Sequence, residues 1–377
     1  MRIGFDGKRA VQNFTGLGNY SRYVADILCH FYPENDYVLY APKKRENKRV
    51  NLLTGQYRQL TLAYPATFFW KKLSSLWRVW GITSQLEKEG IELFHGLSNE
   101  LPLNIHKSRI KSIVTIHDLI FLRYPQYYQS IDRKIYTYKF RKACENADKI
   151  IAISECTKRD IIRYFNIPDD KIEVVYQGCD VSFTHPVTEE KKEEVRKKYQ
   201  LPDHYILNVG SIEERKNILA AVQALPILPQ HIHIVIVGRR TGYTEKVEQF
   251  IKDNGLGERV HIISNVPFND LPAFYQSAEI FVYPSRFEGF GIPIIEALYS
   301  GTPVVAATGS CLEEAGGPDS IYVNPDDITG LADAFKQIYS NSDKRKNMVE
   351  KGREFAKRFS EKQQSEEIIN IYKKLIR

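Results

Sequence analysis

The sequence predicts an α/β protein of two doubly wound parallel-sheet domains, and three observations lead there. Short β-branched runs alternate with amphipathic stretches from end to end, which implies parallel sheets with helices on both faces. The alternation falls into two successive sets. At 377 residues the chain is too long for one ordinary core and suits two domains of fewer than about 200 residues each.

In the first set the candidate strands are Arg2–Phe5, Tyr37–Tyr40, Ile91–Phe94, Ser112–Ile116, Lys149–Ile153 and Ile172–Val175. In the second they are Tyr205–Val209, His233–Val237, Val260–Ile263, Ile280–Tyr283, Val304–Ala306 and Ile321–Val323. Amphipathic stretches such as Asn19–Phe31, Asp132–Ala147 and Asn217–Leu228 lie between them. Thr184-His185-Pro186 followed by the charged run Glu189–Tyr199 reads as a linker and the first helix of a second domain. This sets domains of 1–186 and 187–360. Ligands of open α/β sheets bind at the carboxyl ends of the strands, so the expected site is a cleft where two such domains face each other.

Composition narrows the class. Hydrophobic residues make up 43% and charged residues 26%, ordinary for a globular protein. No apolar run approaches the roughly 20 residues of a membrane span, and MRIGFDGKRA lacks a signal-peptide core. Five widely spaced cysteines with no CxxC pair argue against a disulfide framework or structural zinc, and point to the cytoplasm. The net charge of +7 is uneven: residues 1–186 carry 28 Lys+Arg and 19 Asp+Glu, the rest 25 and 27. A basic first half suits an anionic partner such as the cytoplasmic membrane surface, or is a solvated face.

Residues 280–305 read IFVYPSRFEGFGIPIIEALYSGTPVV: a strand, a Gly-rich loop, and a helix opening near Pro293. Gly289 and Gly291 let backbone pass close to a ligand, and Pro293 suits a first helical turn. The amides there and the positive helix end form an anion site suited to a diphosphate. Glu288 and Glu296 flank that site. Carboxylates touching phosphate would repel it, so they are better placed accepting hydrogen bonds from hydroxyls, one set on a sugar and one on a ribose.

The Glu–seven residues–Glu arrangement in EGFGIPIIE resembles the signature of glycosyltransferase family 4, enzymes of GT-B architecture. The resemblance runs over most of the chain: GLGNYS at 16–21, THDLIFLRYP from Thr115, ADKIIAISECTKRDI, VVYQGCD, NVGSIEERKN, and FSEKQQSEEIINIYKKL as a terminal helix, 361–377, crossing back to the first domain. It implies retaining transfer of a sugar from a nucleotide diphosphate, with an acceptor-side first domain and a donor-binding second domain. Glu288 is then expected on the sugar hydroxyls and Glu296 on the ribose. Backbone at Phe290, Gly291 and Ile292 is expected on the phosphates or sugar. Arg215 and Lys216 offset the leaving diphosphate; Ser211 follows Gly210 where many relatives have an arginine. Gly16 and Gly18 let the first loop approach the diphosphate or acceptor. His117 lies beside the transferred sugar, and Asp118, Ser98 and Asn99 line the acceptor side, unless Asp118 holds loop backbone and His117 is a satisfied core histidine.

No metal cluster or D-x-D motif appears, so neither a metal nor another cofactor is expected; the nucleotide sugar is a substrate. The chain looks most like bacterial mannosyltransferase-type members that build surface polysaccharides, which suggests GDP-mannose and a glycan or lipid-linked acceptor. UDP-glucose and UDP-N-acetylhexosamine stay open. The alternatives are a nucleotide-sugar epimerase, a phosphorolytic GT-B enzyme or a non-catalytic sugar-binding module. A nicotinamide dinucleotide site is disfavoured, since Ser21 stands where the fingerprint's third glycine belongs, and nucleic acid is not an expected partner. Thr67–Trp80, with Trp70, Leu73, Trp77 and Trp80 at near-helical spacing, is either a helix packed on the first sheet or an interfacial helix meeting anionic lipid.

Overall fold

The computed structural model describes residues 1–376 and divides them into two compact units. Unit 1 is Met1–Gln177 with the segment from Glu361 onward, and unit 2 is Gly178–Ser360. The chain leaves unit 1 before the proline at 186 because 178–187 packs into unit 2. Phe183 is buried against the rings of Phe268 and Tyr275 at 5.7 and 5.5 Å, and the Val187 amide donates to the Gln276 side chain.

Unit 1 holds seven parallel strands: β1 (Arg2–Asp6), β2 (Asp36–Tyr40), β3 (Leu60–Ala63), β4 (Leu93–Gly96), β5 (Lys111–Ile116), β6 (Lys149–Ala152) and β7 (Ile172–Val174), in the order 3-2-1-4-5-6-7. One face is covered by α1 (Gly16–Phe31) and, through Ile368, Ile369 and Tyr372, by the terminal helix. The other is covered by the tryptophan segment and by α2 (Ser130–Asn146), which packs through Ala143 and Cys144. Its parallel strands are apolar on both sides because both faces are covered.

Unit 2 begins with α3 (Glu189–Tyr199), capped by the Thr188 hydroxyl on the Lys191 amide. Its six parallel strands are β8 (Tyr205–Val209), β9 (His233–Val237), β10 (Val260–Ile263), β11 (Ile280–Tyr283), β12 (Val304–Ala307) and β13 (Ile321–Val323), in the order 10-9-8-11-12-13. The chain therefore reverses direction across the sheet between β8 and β11, and loops after those two strands diverge to leave a crevice. The short helix α4 (Ile218–Ala224) follows the β8 loop, and α5 (Ile292–Ser300) follows the β11 loop. The terminal helix of unit 1 is α6 (Glu361–Ile376). All five cysteines are buried free thiols, and among the described residues no helix is long and apolar enough to cross a membrane.

Candidate active site

The Glu–seven residues–Glu motif sits at the β8/β11 crevice of unit 2. Gly291, at φ 148°, turns the chain into α5 with Pro293 in its first turn; a Cβ there would stand 3.3 Å from Ala315 and Leu312 side-chain atoms. The β8 loop delivers Arg215 and Lys216 to the same place. Gly210, at φ 152°, makes room for this: its Cβ would lie 2.8 Å from the Lys216 Nζ. The two loops are tied together, the Arg286 amide donating to the Arg215 carbonyl at 2.9 Å and the Arg215 guanidinium donating to the Phe287 carbonyl.

Glu288 is the centre of the cluster. One carboxylate oxygen lies 2.8 Å from Arg215 Nη1 and the other 3.9 Å from Lys216 Nζ. It also accepts from the hydroxyls of Tyr283 at 3.2 Å and Ser285 at 3.1 Å. Burial alone pushes its carboxyl up, but Lys216 and Arg215 outweigh this and hold it below the ordinary value. Burial likewise lowers Lys216, and the Tyr283 and Glu288 side chains more than reverse it, so the ammonium keeps its proton. Burial pushes the Tyr283 phenol up to about 12. The cluster thus sets Arg215 and Lys216 against Glu288, with Glu213 3.7 Å from the Arg215 Nη2, next to the start of a helix.

Glu296 faces a different environment. It accepts a 2.6 Å hydrogen bond from the Tyr275 hydroxyl. Burial pushes its carboxyl up to about 7, with Asp180 adding to the rise and Tyr275 and Lys216 opposing it. Phe290 turns its ring into the core against Phe359, 5.6 Å between centroids, so any ligand contact from it comes through the backbone. The Cys311 thiol fixes that backbone, 2.7 Å from the Phe290 carbonyl and 3.0 Å from that of Glu288. Tyr275, Tyr283, Ser285 and Cys311 escaped the sequence reading. The tyrosines sit in apolar stretches that read as core, and Cys311 lies outside any motif.

In unit 1 the expected residues gather at the carboxyl ends of β1, β4 and β5. His117 is buried, its Nε2 2.9 Å from the Leu97 carbonyl and its Nδ1 3.2 Å from the Gln177 amide nitrogen. The carbonyl requires a proton on Nε2, so Nδ1 accepts from Gln177. Burial, reinforced by Arg9 and only partly offset by the Leu97 hydrogen bond, lowers its value to about 4. Both nitrogens of a neutral ring are therefore committed to protein groups. The ring stands edge-on to Tyr20 at 4.6 Å, whose hydroxyl ends a buried chain through Thr115 and His95 to Tyr372 of α6. Asn99, at φ 65°, accepts from the His117 amide at 2.7 Å. Ser98 is buried with its hydroxyl oxygen unpartnered among the described residues. Asp118 accepts from the Ile120 amide, holding its own loop.

The glycines of the first loop separate. They lie in the first turn of α1, not in an extended loop. A Cβ on Gly18 would stand 2.0 Å from the Asn13 carbonyl oxygen, whereas one on Gly16 would meet nothing within 4 Å. Packing against Asn13 therefore accounts for Gly18, and Gly16 alone stays open to a ligand.

Two Rossmann-type parallel-sheet units and, in the second, a strand–Gly loop–helix site carrying Glu288, Arg215 and Lys216 define a GT-B glycosyltransferase. Residues 189–355 match the family described as glycosyl transferases group 1, and residues 21–183 match glycosyltransferase family 4. The chain is 31% identical over 289 residues to O-antigen chain mannosyltransferase B of Escherichia coli, covering 75% of this chain and 74% of that protein. It is 29% identical to O-antigen chain mannosyltransferase RfbU of Salmonella typhimurium, over 60% of each. Among solved structures it resembles Anabaena Alr3699/HepE in complex with UDP-glucose, with a TM-score of 0.77, 16% identity and all of both chains covered. The chain belongs to glycosyltransferase family 4 and is a glycosyltransferase.

Proposed function

We propose that the protein transfers a hexose, with retained anomeric configuration, from a nucleotide diphosphate sugar to a glycan or lipid-linked acceptor, and that the donor is GDP-mannose. The observation that carries this reading is the Arg215–Lys216–Glu288 cluster beside the start of α5. Two cations and helix-start amides suit a diphosphate, and become more favourable as its charge grows on departure. Glu288 accepts sugar hydroxyls and Glu296 the ribose hydroxyls. The mannose assignment is supported by what the E. coli and Salmonella relatives are named for.

The chemistry needs few groups. The bond from the anomeric carbon to the diphosphate oxygen breaks as the acceptor oxygen bonds to the same face, and the departing phosphate oxygen takes the acceptor proton. His117 supplies no base, because its nitrogens already hold Leu97 and Gln177. Its place is structural, keeping the Leu97–Asn99 turn in shape. Lys216 and the α5 amides do what a bound cation does elsewhere, so transfer proceeds without metal. A lipid-linked acceptor would bring the chain to the cytoplasmic membrane surface.

The test is a donor panel (GDP-mannose, UDP-glucose, UDP-N-acetylglucosamine) titrated by calorimetry, then product analysis by NMR with the best binder, with and without EDTA. Tightest binding of GDP-mannose and an α-linked product that survives chelator are expected. Inversion at the anomeric carbon, conversion of donor with no acceptor, or rescue only by magnesium or manganese overturns the corresponding part.

A further inference from the structure

Unit 1 carries cations at the carboxyl ends of its strands that its own structure leaves unused. β1 pairs with β4 in the register Phe5↔His95, so residues 7–9 and 97–99 leave the sheet from neighbouring strands. Lys8 and Arg9 are both partly buried. Neither side chain has a hydrogen bond or an ion pair among the described residues.

The other charges nearby are committed. Arg78 holds Asp6 and Glu100, and Lys139 stands 3.6 Å from Glu100. The Arg22 guanidinium donates to the carbonyls of Ala10 and Asn13 and to the Asn19 side chain. Asp118 accepts from the Ile120 amide. Burial lowers the Lys8 ammonium and Arg78 and Arg9 add to the fall, which Glu100 and Asp6 only partly offset. An incoming anion would supply the missing compensation.

A third donor stands at the same strand ends. Ser98 is 3% exposed, and its hydroxyl oxygen has no partner among the described residues. Buried polar groups in folded proteins are nearly always partnered, so an orphan at a strand end points to a ligand. His117 links it to the cations: its ring nitrogen holds the Leu97 carbonyl, its amide holds the Asn99 side chain, and Arg9 helps to keep the ring neutral. Ser98 lies in the turn between those two contacts.

A guanidinium, an ammonium and a hydroxyl together suit an oxyanion. A carboxylate brings two oxygens and one charge. A phosphate monoester brings three free oxygens and about two charges near neutral pH, which matches two uncompensated cations better.

We propose that Lys8, Arg9 and Ser98 form an anion subsite in unit 1 that takes a phosphate group carried by the acceptor. It deepens the reading of unit 1 as the acceptor side, on which it rests, and its binding test needs no transfer.

The full chain is titrated calorimetrically with glucose 6-phosphate, inorganic phosphate and glucuronate. Parent, Lys216→Met, Ser98→Ala and the double variant Lys8→Met with Arg9→Met are compared, with thermal midpoints as the check on folding. Lys216→Met marks any phosphate binding that belongs to unit 2. Glucose 6-phosphate should bind more tightly than the other two probes and survive Lys216→Met. Its affinity should fall at least about tenfold in the double variant and severalfold in Ser98→Ala, with donor affinity unchanged in both. Arg9→Gln alone, at a partly exposed side chain, carries the test if the double variant melts early. Binding lost only in Lys216→Met, or untouched by the unit 1 variants, overturns the proposal. So does glucuronate or inorganic phosphate binding as tightly as the sugar phosphate. Loss of donor binding in a folded double variant would assign these cations to the donor instead. Sugar phosphate binding here without any sugar transfer would keep the subsite and sink the assigned reaction. Transfer to a phosphate-free sugar at a rate the double variant does not alter would do the reverse.

Discussion

Arg215 and Glu288 form a 2.8 Å ion pair at the β8/β11 crevice, so the cations proposed for the diphosphate are partly spoken for before any ligand arrives. In the proposed reaction Glu288 has two tasks: it would receive sugar hydroxyls, and it restrains Arg215 and Lys216. Glu288→Gln removes the restraint and the charge together. Nucleoside diphosphate affinity should then rise severalfold while kcat falls, because the carboxylate no longer faces the positive character gained by the sugar ring. Calorimetry of the bare diphosphate and steady-state kinetics check this. Weaker diphosphate binding in this variant, with Glu296→Gln unaffected, would mean that the donor runs the opposite way through the site.

Lys216→Met isolates the leaving-group role. Its Nζ is 3.3 Å from the Tyr283 hydroxyl, and Glu288 keeps Arg215 as a partner when it is lost, so the fold should survive. Removing one preorganised charge from a developing anion typically costs about 10²–10³ in rate. A loss of that order in kcat, with thermal midpoint nearly unchanged, is the expected result. A tenfold rise in donor KM at constant kcat would assign Lys216 to ground-state binding alone.

The first-turn glycines of α1 should respond in opposite ways. Gly18→Ala forces a Cβ against the Asn13 carbonyl, a backbone atom that also anchors the Arg22 guanidinium, and should destabilise by about 1–3 kcal/mol or more. Gly16→Ala meets no clash and should leave stability equal or slightly higher. If the Gly16 backbone approaches a ligand, this variant loses activity without losing stability. Thermal melts beside kinetics separate the two; full activity in Gly16→Ala would remove Gly16 from the site.

The strands of unit 2 were readable because each is a short run rich in β-branched residues between turn residues; five of the six keep the limits that the sequence suggests. Unit 1 was harder. β3 went unread because Leu60–Ala63 is a four-residue edge strand with only Leu60 buried. β4 lies later than Ile91–Phe94 because it ends in His95 and Gly96, which look like loop residues yet are buried, His95 between Tyr372 and Thr115. The Glu288–Glu296 spacing was legible as a motif. What surrounds it was not: Tyr275 and Tyr283 differ from core aromatics only in where their hydroxyls point, and pointing is a property of the fold.

The ion triad of unit 1 makes a prediction about acid stability. Arg78 lies between Asp6, 3.1 Å from its Nε, and Glu100, all with little exposure. Burial raises the Glu100 carboxyl, but Arg78 and Lys139 overcome it and hold it below its ordinary value. A depressed carboxyl contributes stability that is present above the unfolded value and lost as pH falls through the folded one. Arg78→Met leaves two buried carboxylates without their partner, which typically costs about 3–5 kcal/mol. Its deficit should shrink below about pH 4 as Glu100 takes up a proton. Denaturant melts of both proteins between pH 3.5 and 8 check this, and a pH-independent deficit would assign the loss to packing.

Glu296 has the opposite pH signature in the folded protein and in its complex. Its carboxyl is pushed from the ordinary 4.5 up to about 7, so between those values the folded protein binds more protons than the unfolded chain. Its contribution to stability therefore declines as pH rises through that window. If Glu296 takes the ribose hydroxyls as proposed, donor binding should behave in reverse, because those hydroxyls would donate to the ionised carboxylate. Donor affinity should improve as pH rises through about 7, by up to roughly tenfold between pH 6 and 8, with a proton released on binding. The intact nucleotide sugar is the right probe, since a bare nucleoside diphosphate has a terminal phosphate that titrates in the same range. Glu296→Gln, neutral at every pH, should bind more weakly at pH 8 and show a flat profile. Tyr275→Phe removes the hydrogen bond that lowers Glu296 and should move the midpoint higher. Calorimetry in two buffers of different ionisation enthalpy reads both the affinity and the proton count. A parent profile already flat across pH 6 to 8 would take Glu296 off the ribose.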